Sequence, residues 1–308
     1  MLDITLLGTG ALVPTPERAL TAAVLKCAGH TILFDCGEGT QCAAVRFGVN
    51  IMKADLIALT HYHGDHYFGL PGLLQTMTSN GREEPLWITG PKGLEEAMAP
   101  ILELTGWTSF EILLLEMPEE DLRLADLVND WLSEAVLTTF PTEHRIPSQG
   151  YCFSLSRAGK FLPQKARELG VPVNLWGLLQ KGQSVQADGT IVTPDQVLGE
   201  PRPGLKFVFS GDTAPCGSMI EAARGADLLI CEATYGENEQ NELALERGHM
   251  TFALAGETAA KAGVKRLWLS HFSKRIIDPR DHLPNALAYF ENAVCGEDGM
   301  SLTLKFEE

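Results

Sequence analysis

Short apolar segments that end on a His, Asp or Glu recur five times in this chain, and this repetition limits the possible fold more than any other feature. Such continuous apolar segments are typical of buried strands. The side chains that follow them are His61, His144, Asp212, Glu232 and His271. Because functional groups of α/β proteins gather at the ends of strands, we predict an α/β fold that carries one site there.

The densest cluster of metal-ligand side chains is His61-Tyr-His63-Gly-Asp65-His66, which follows the apolar segment 54–60. Three of the 8 His residues of the chain fall within this stretch. Imidazole nitrogen combined with carboxylate oxygen suits Zn²⁺ or a similar divalent ion. Four such ligands are more than one ion usually takes from a single loop, so we predict two adjacent ions.

Seven side chains are predicted to hold these two ions. Divalent ions about 3.5–4 Å apart activate a shared water molecule and stabilise charge on a phosphoryl or carbonyl oxygen. Asp65 is also placed to accept a proton from that water. The predicted ligands are His61, His63 and His144 for the first ion, Asp65, His66 and His271 for the second, and Asp212 as a bridge.

Glu232 and His249 are candidates for the proton donor that a hydrolase needs for its leaving group. His249 precedes a predicted helix over 251–262, and Glu232 ends a predicted strand. A carboxylate beside an imidazole orients it and keeps it charged, which suits a general acid. The alternative is a helix-capping His beside a structural Glu, and the sequence leaves both readings open.

Charge is unevenly distributed along the chain. The net charge is −16, and taken alone it argues against a nucleic-acid partner, because phosphate binding needs Lys and Arg. Acidic residues are concentrated in segment 111–134, which we interpret as a solvated helix face. Basic residues are concentrated in segment 157–181, so the distribution matters more than the sum.

The cysteines and the apolar runs indicate a cytoplasmic protein. The chain has 7 Cys, an odd number, and none of them forms a C-x-x-C pair, so we predict reduced thiols. No apolar run reaches the roughly 18–20 residues that span a membrane. The first residues, 1–8, are typical of a strand rather than of a signal peptide.

Residues 154–206 interrupt the alternation of strands and helices with many Gly and Pro residues. We predict an excursion from the core with little packed structure of its own, apart from a short helix around 163–169. Long irregular insertions are often functional. A surface connection without function is the alternative.

Several motifs occur together in an order that one known group shares. The sequence has His-x-His-x-Asp-His, then a lone His, then Ser-Gly-Asp-Thr, then a last His, and it resembles the metallo-β-lactamase superfamily and, within it, the ribonuclease Z family. Glu232 and His249 lie where that family carries its proton-donor pair. The motifs are Leu7-Gly-Thr-Gly10, Phe34-Asp-Cys-Gly-Glu-Gly-Thr-Gln41, Leu59-Thr-His-Tyr-His-Gly-Asp-His66, Phe209-Ser-Gly-Asp-Thr213, Cys231-Glu-Ala-Thr234, His249-Met-Thr251 and Leu269-Ser-His-Phe-Ser273.

The resemblance implies a fold, cofactors and an activity. The implied fold is an αββα sandwich in which residues 1–308 form one domain and residues 154–206 form a flexible, protruding arm that grips tRNA. Two Zn²⁺ per subunit are implied, with Mn²⁺ or another divalent ion as an alternative, in a homodimer. The implied reaction removes the 3′ trailer of precursor tRNA, leaving a 3′-hydroxyl at the discriminator nucleotide and a 5′-phosphomonoester on the trailer.

Three other functions are compatible with such a metal site. A binuclear phosphodiesterase for other substrates would keep the metals, and a thioester or lactone hydrolase would use the same fold. The insertion at 154–206 argues against a small substrate, which needs no second contact surface. A regulatory protein with a metal core would have no need of Asp65, Glu232 and His249 together.

Overall fold

The computed structural model describes residues 1–117 and 121–307. The strands in this part of the chain are β1 Leu2–Gly8, β2 Gly10–Ala11, β3 Ala22–Cys27, β4 His30–Phe34, β5 Leu56–Ala58, β6 Leu86–Gly90, β7 Ile112–Glu116, β8 Asp121–Arg123, β9 Ala135–Pro141, β10 Gln149–Arg157, β11 Val185–Ala187, β12 Thr190–Val192, β13 Arg202–Phe209, β14 Leu228–Glu232, β15 Leu267–Ser270, β16 Phe272–Ser273, β17 Ala293–Cys295 and β18 Ser301–Leu304. The helices are α1 Thr40–Arg46, α2 Gly64–Tyr67, α3 Leu70–Ser79, α4 Leu94–Thr105, α5 Pro163–Glu168, α6 Trp176–Gln180, α7 Pro194–Val197, α8 Gly217–Ala223, α9 Asn241–Glu246, α10 Phe252–Ala262 and α11 Leu283–Leu287.

Two large sheets organise these elements. The first has the order β18-β1-β3-β4-β5-β6-β7, and the second has the order β17-β15-β14-β13-β10-β9-β8. Strands β4 to β7 run parallel in the first sheet, and β13, β14, β15 and β17 run parallel in the second. Short parallel strands buried on both faces explain the continuous apolar segments of the sequence.

The two sheets pack face to face and helices cover their outer faces. The ring of Phe34 in β4 contacts Phe207 and Phe209 of β13, with centroids 5.5 and 5.6 Å apart. Leu33 of the same strand points the other way, into a core shared with α1, α3 and α4. A matching core lies between the second sheet and helices α8, α10 and α11. The prediction of an αββα sandwich is therefore confirmed.

The chain divides into two compact units. The first, which we call the catalytic unit, comprises Met1–Ser154 and Leu205–Lys305. The second, which we call the insertion unit, comprises Leu155–Gly204 together with Phe306 and Glu307. The Arg157 guanidinium lies 4.8 Å from the centre of the Phe306 ring and donates to the Glu307 carbonyl oxygen, which accounts for the chain end in this unit.

The prediction that this insertion has little packed structure is wrong. It contains α5, α6, α7 and the β11–β12 hairpin, and α5 matches the short helix that the sequence indicated. Its core consists of Ala166, Val171, Leu179, Val185, Ala187, Val192 and Val197. These residues lie among the Gly and Pro positions that suggested an irregular chain. The helices and strands that carry them are too short to show a clear hydrophobic periodicity.

The acidic segment 111–134 does not form the predicted helix face. Its described residues include β7 and β8, which are the edge strands of the first and second sheets, and continue as a short 3₁₀ turn over Leu124–Asp126. Glu119 and Glu120 of this segment lie outside the described residues. Charged side chains on edge strands oppose pairing with a further strand. Among the described helices, none has the length and hydropathy to cross a membrane.

Candidate metal centre and catalytic site

Five of the predicted site residues lie just beyond, or at the end of, a strand of one of the two sheets, whereas Asp65 and His66 lie in α2 and His249 lies between α9 and α10. His61 follows β5, His144 follows β9, Asp212 follows β13, Glu232 ends β14 and His271 follows β15. Gly211 allows the close approach of two of these loops. Its φ is +61°, and a Cβ built on it would lie 2.7 Å from the Cβ of Thr60. A larger residue there would separate Asp212 from the His61 loop.

His61, His63, His144 and Asp212 form the first group of ligand atoms. The His61 Nε2 lies 3.0 Å from the His63 Nδ1, and the His144 Nε2 lies 3.1 Å from the same atom. The Asp212 Oδ2 lies 3.7 Å from the His61 Nε2. All four ligand atoms fall within 4.8 Å of one another.

Asp65, His66 and His271 form the second group. The His66 Nε2 lies 3.2 Å from the His271 Nε2, which lies 3.4 Å from the Asp65 Oδ2. The other oxygen of Asp212, Oδ1, lies 3.4 Å from His66 Nε2 and 3.3 Å from His271 Nε2. Asp212 thus presents one carboxylate oxygen to each group, which is the arrangement expected of a bridging ligand.

The hydrogen bonds of the other ring nitrogens aim Nε2 atoms of these imidazoles at one another. His66 Nδ1 donates to Asp35 at 2.7 Å, and His144 Nδ1 donates to the Gly248 carbonyl oxygen at 2.9 Å. Both acceptors require a proton on Nδ1, so the lone pair of each Nε2 points into the centre.

Two further ligand imidazoles, those of His61 and His271, are held in the same way by threonine hydroxyls. The Thr60 hydroxyl donates to Asp35 and so accepts from His61 Nδ1 at 3.0 Å. The Thr234 hydroxyl donates to Glu232 and so accepts from His271 Nδ1 at 2.9 Å. Converging lone pairs repel unless a cation lies between them. Asp212 Oδ1 is also one of the described buried side-chain atoms that have no hydrogen bond of good geometry. The residues therefore fit divalent cations.

Burial and charge act in opposite directions on these groups. Burial alone would lower the pKa of His66, but Asp212 and Asp35 raise that pKa well above its ordinary value. Burial would raise the pKa of Asp65, but the neighbouring His271 and the charge of His66 lower it overall. Protons therefore compete with cations for this centre, and cation affinity falls as the pH falls.

Glu232 and His249 form a pair beside the ligand groups. The His249 Nδ1 donates to the Glu232 Oε1 at 2.9 Å. Glu232 is 2% exposed and also accepts from the backbone N–H groups of Thr213 and Met250. Burial alone would lower the pKa of His249, but Glu232 raises that pKa to about 9. Because its Nδ1 proton is committed to Glu232, His249 is better suited to donate a proton than to bind a cation.

Four functional groups of this centre escaped the sequence analysis. Asp35 is fully buried and orients both His66 and Thr60. A signal for it existed, since Asp35 follows the apolar strand β4 as the other site residues follow theirs. Thr60 and Thr234 adjoin site residues but carried no signal of their own. The backbone N–H of Leu12 donates to the Asp65 Oδ2 at 2.7 Å, and no residue type predicts such a contact.

A cavity of about 610 Å³ opens onto this centre. Asp65, His144, Asp212, His249 and His271 line its floor. Asp35 and His271 have left-handed backbone conformations, with φ of 55° and 56°, which are uncommon for residues other than glycine. Such strain is typical of functional sites.

Known protein families and individual proteins are similar to this chain in sequence. One family model, described as the anti-Pycsar protein Apyc1, matches residues 2–99, and another, described as a β-lactamase superfamily domain, matches residues 196–272. Ribonuclease Z of Lachnoclostridium phytofermentans is 41% identical over 310 aligned positions, covering 100% of this chain and 99% of the relative. Ribonuclease Z of Agathobacter rectalis is 42% identical, with both chains covered to 100%.

Solved structures that superpose on this chain have the same fold. The short form of human tRNase Z superposes with a TM-score of 0.68 at 30% identity, covering 99% of this chain and 100% of that one. The metallo-β-lactamase fold protein YhfI of Bacillus subtilis has a TM-score of 0.68 at 20% identity, covering 98% of each chain, and supports the fold alone.

The fold and the ligand groups, together with the ribonuclease Z relatives, define a metal-dependent hydrolase with the metallo-β-lactamase fold. Identity at this level extends over the whole chain rather than over the metal motifs alone. The chain belongs to the ribonuclease Z family.

Proposed function

We propose that this protein is a zinc-dependent endoribonuclease that removes the 3′ trailer from precursor tRNA and leaves a 3′-hydroxyl at the discriminator nucleotide. Membership of the ribonuclease Z family supports the substrate. The geometry that carries the chemistry is the position of Asp212, whose two oxygens face two separate groups of His and Asp ligands. That arrangement suits a pair of ions, and we assign two Zn²⁺ to it, with Mn²⁺ or another divalent ion as an alternative.

The chain's own residues divide the work of hydrolysis. His61, His63 and His144 would hold one ion, Asp65, His66 and His271 the other, and Asp212 both. Ions bound there would supply Lewis acidity, which lowers the pKa of water and stabilises charge on phosphoryl oxygens.

Asp65 and His249 handle protons on either side of the scissile bond. The hydrogen bond from the Leu12 N–H stabilises the charged form of the Asp65 carboxylate, which is the form that accepts a proton from an attacking water. His249, kept protonated by Glu232, donates a proton to the 3′-oxygen that leaves.

Three further assignments complete the proposal. The 154–206 part of the insertion unit is the arm that contacts tRNA outside the catalytic site. Its exposed cations Lys160, Lys165, Arg167 and Lys181 suit phosphate contacts. The protein acts as a cytoplasmic homodimer, and residues 1–308 fold as one metallo-β-lactamase domain that includes the arm.

The decisive experiment is cleavage of a precursor tRNA that carries a 3′ trailer, with and without a chelator, beside Asp65→Ala. We expect chelator-sensitive cleavage after the discriminator. The rate should fall by about three orders of magnitude or more in the variant, because several kcal/mol of charge stabilisation is lost. Hydrolysis of a thioester or lactone without any RNA cleavage would refute the substrate, and full activity of the variant would refute the assigned site.

A further inference from the structure

We propose that the ring of Phe68 is a stacking platform for a nucleobase next to the scissile phosphate. This inference rests on the proposed function, because it assumes a nucleic-acid substrate in the cavity. Phe68 directly follows helix α2, two residues after the ligand His66, and it lines the same cavity as the metal centre. It is 59% exposed, which is unusual for a phenylalanine beside a buried site.

The position of this ring is fixed by its neighbours rather than free. A Cβ built on Gly64 would lie 2.5 Å from the Phe68 Cε2, so the ring rests against the backbone of Gly64. The Tyr67 ring lies next to it, with centroids 5.1 Å apart. A ring supported on one side and open on the other is ordered before any ligand binds, which reduces the entropy lost on stacking.

A second exposed apolar side chain, that of Leu12, lines the same cavity. Leu12 is 73% exposed and its backbone N–H contacts the Asp65 carboxylate, directly after Gly64. Its φ of 60° is a left-handed conformation that is unfavourable for leucine. Leu12 and Phe68 are thus two exposed apolar side chains among the residues that line the cavity.

Cations border the same cavity at other ligand loops. Arg145 follows His144, Arg247 precedes His249 by two residues, and Lys274 and Arg275 follow His271. All four are exposed and line the cavity, in a chain whose net charge is −16.

The combination of exposed apolar side chains and cations along this cavity matches the chemistry of a nucleotide. Phosphates are attracted to cationic side chains, whereas a nucleobase presents a flat apolar face to an aromatic ring. A lactone offers no such pair of surfaces. Because Phe68 adjoins Asp65 and His66, the base that it contacts belongs to a nucleotide that flanks the cleaved bond.

The test compares cleavage of precursor tRNA by the full-length, metal-loaded protein and by Phe68→Ala, Phe68→Leu and Phe68→Trp. Stacking on one base predicts a loss in kcat/KM of roughly 5- to 150-fold for the alanine variant. The tryptophan variant should retain activity, whereas leucine, which is apolar but not aromatic, should not. Tyr289→Ala is the matched control, since Tyr289 is 53% exposed and does not line the cavity.

A substrate variant makes the test independent of protein folding. Precursors that lack the base of one nucleotide on either side of the cleaved bond should be poorer substrates for the wild-type protein. For one of the two positions, the base removal and Phe68→Ala should together cost no more than either change alone. Bound metal and melting temperature are measured for every variant.

Each result has one reading. The proposal is overturned if the wild-type protein cleaves both base-lacking precursors as fast as the intact precursor. It is also overturned if Phe68→Leu is as active as Phe68→Trp. A metal-loaded Phe68→Ala protein as active as the wild type also overturns it. If the wild-type protein cleaves no precursor tRNA at all, the proposed function itself fails, which is distinct from failure of the stacking role alone.

Discussion

The catalytic unit and the insertion unit achieve order by opposite means. The ligands of the metal centre come from loops between His61 and His271, and two seven-stranded sheets hold them together. The core of the insertion unit is drawn from one short stretch, between Ala166 and Val197. Precise chemistry needs groups held by a large and rigid scaffold, whereas a small local core is enough to present a binding surface.

The two units also differ in how their charges are held. In the catalytic unit, Asp35, Asp212 and Glu232 are buried and each accepts or faces several donors. In the insertion unit, Lys165 and Arg167 are exposed on the short helix α5. Buried charges set pKa values and geometry, while exposed ones contribute long-range attraction that salt screens.

Removing the insertion unit tests this division most strongly. The segment closes on itself, because the Gly199 N–H donates to the Lys160 carbonyl oxygen at 2.9 Å and the Leu162 N–H to that of Val197 at 2.7 Å. Residues 160–198 can therefore be replaced by a short Gly-Ser linker. We expect kcat/KM on precursor tRNA to fall by roughly two orders of magnitude or more, since a linked second binding surface is lost.

The control for this deletion is a small phosphodiester, bis(p-nitrophenyl) phosphate, which contacts the metal centre alone. Its hydrolysis should be unchanged. An equal loss on both substrates would mean that the insertion unit supports the catalytic unit rather than the tRNA.

Glu232→Gln sharpens the comparison from the side of the catalytic unit. The negative charge of Glu232 opposes the effect of burial and raises the pKa of His249 to about 9, so the neutral amide should lower that pKa. A proton donor with a lower pKa is deprotonated at lower pH. The basic limb of the pH profile of kcat/KM should move down by about one to three pH units, and the rate at pH 8 should fall by roughly 10- to 100-fold.

The matched control is Glu246→Gln, an exposed acid on α9, whose pH profile should coincide with that of the wild type. An unshifted profile for Glu232→Gln would exclude His249 as the group that titrates on the basic limb.

Leu179→Ala should have the smallest effect on cleavage and the most local one. Leu179 is fully buried in the core of the insertion unit, and truncation of such a side chain costs about 2–5 kcal/mol. Hydrogen exchange should accelerate within 160–198 while bound metal stays unchanged. Leu178→Ala, at a neighbouring side chain that is 39% exposed, is the control. Faster exchange throughout β13 to β15 would show that the two units do not unfold separately.

Much of the fold could be predicted because its signals are local. The apolar segments before His61, His144, Asp212, Glu232 and His271 are β5, β9, β13, β14 and β15, as expected from their composition. The structure of the insertion was misjudged because its core includes small residues such as Ala166 and Ala187 and is interrupted by Gly and Pro. The sequence therefore shows no hydrophobic periodicity there. The edge strands β7 and β8 were misjudged because charge density alone does not distinguish a helix from a strand.

The amino-acid sequence by itself determined which side chains are available to cations and that each stands at the end of a strand, because residue type and hydrophobic pattern are properties of short segments. Only the tertiary structure decided how they meet. The two oxygens of Asp212 face separate ligand groups, Asp35 and Thr234 hold ring nitrogens, and the Leu12 N–H reaches Asp65. These contacts depend on the register and packing of two sheets, and residues more than 200 positions apart, such as His66 and His271, come within 3.2 Å only when both sheets are complete.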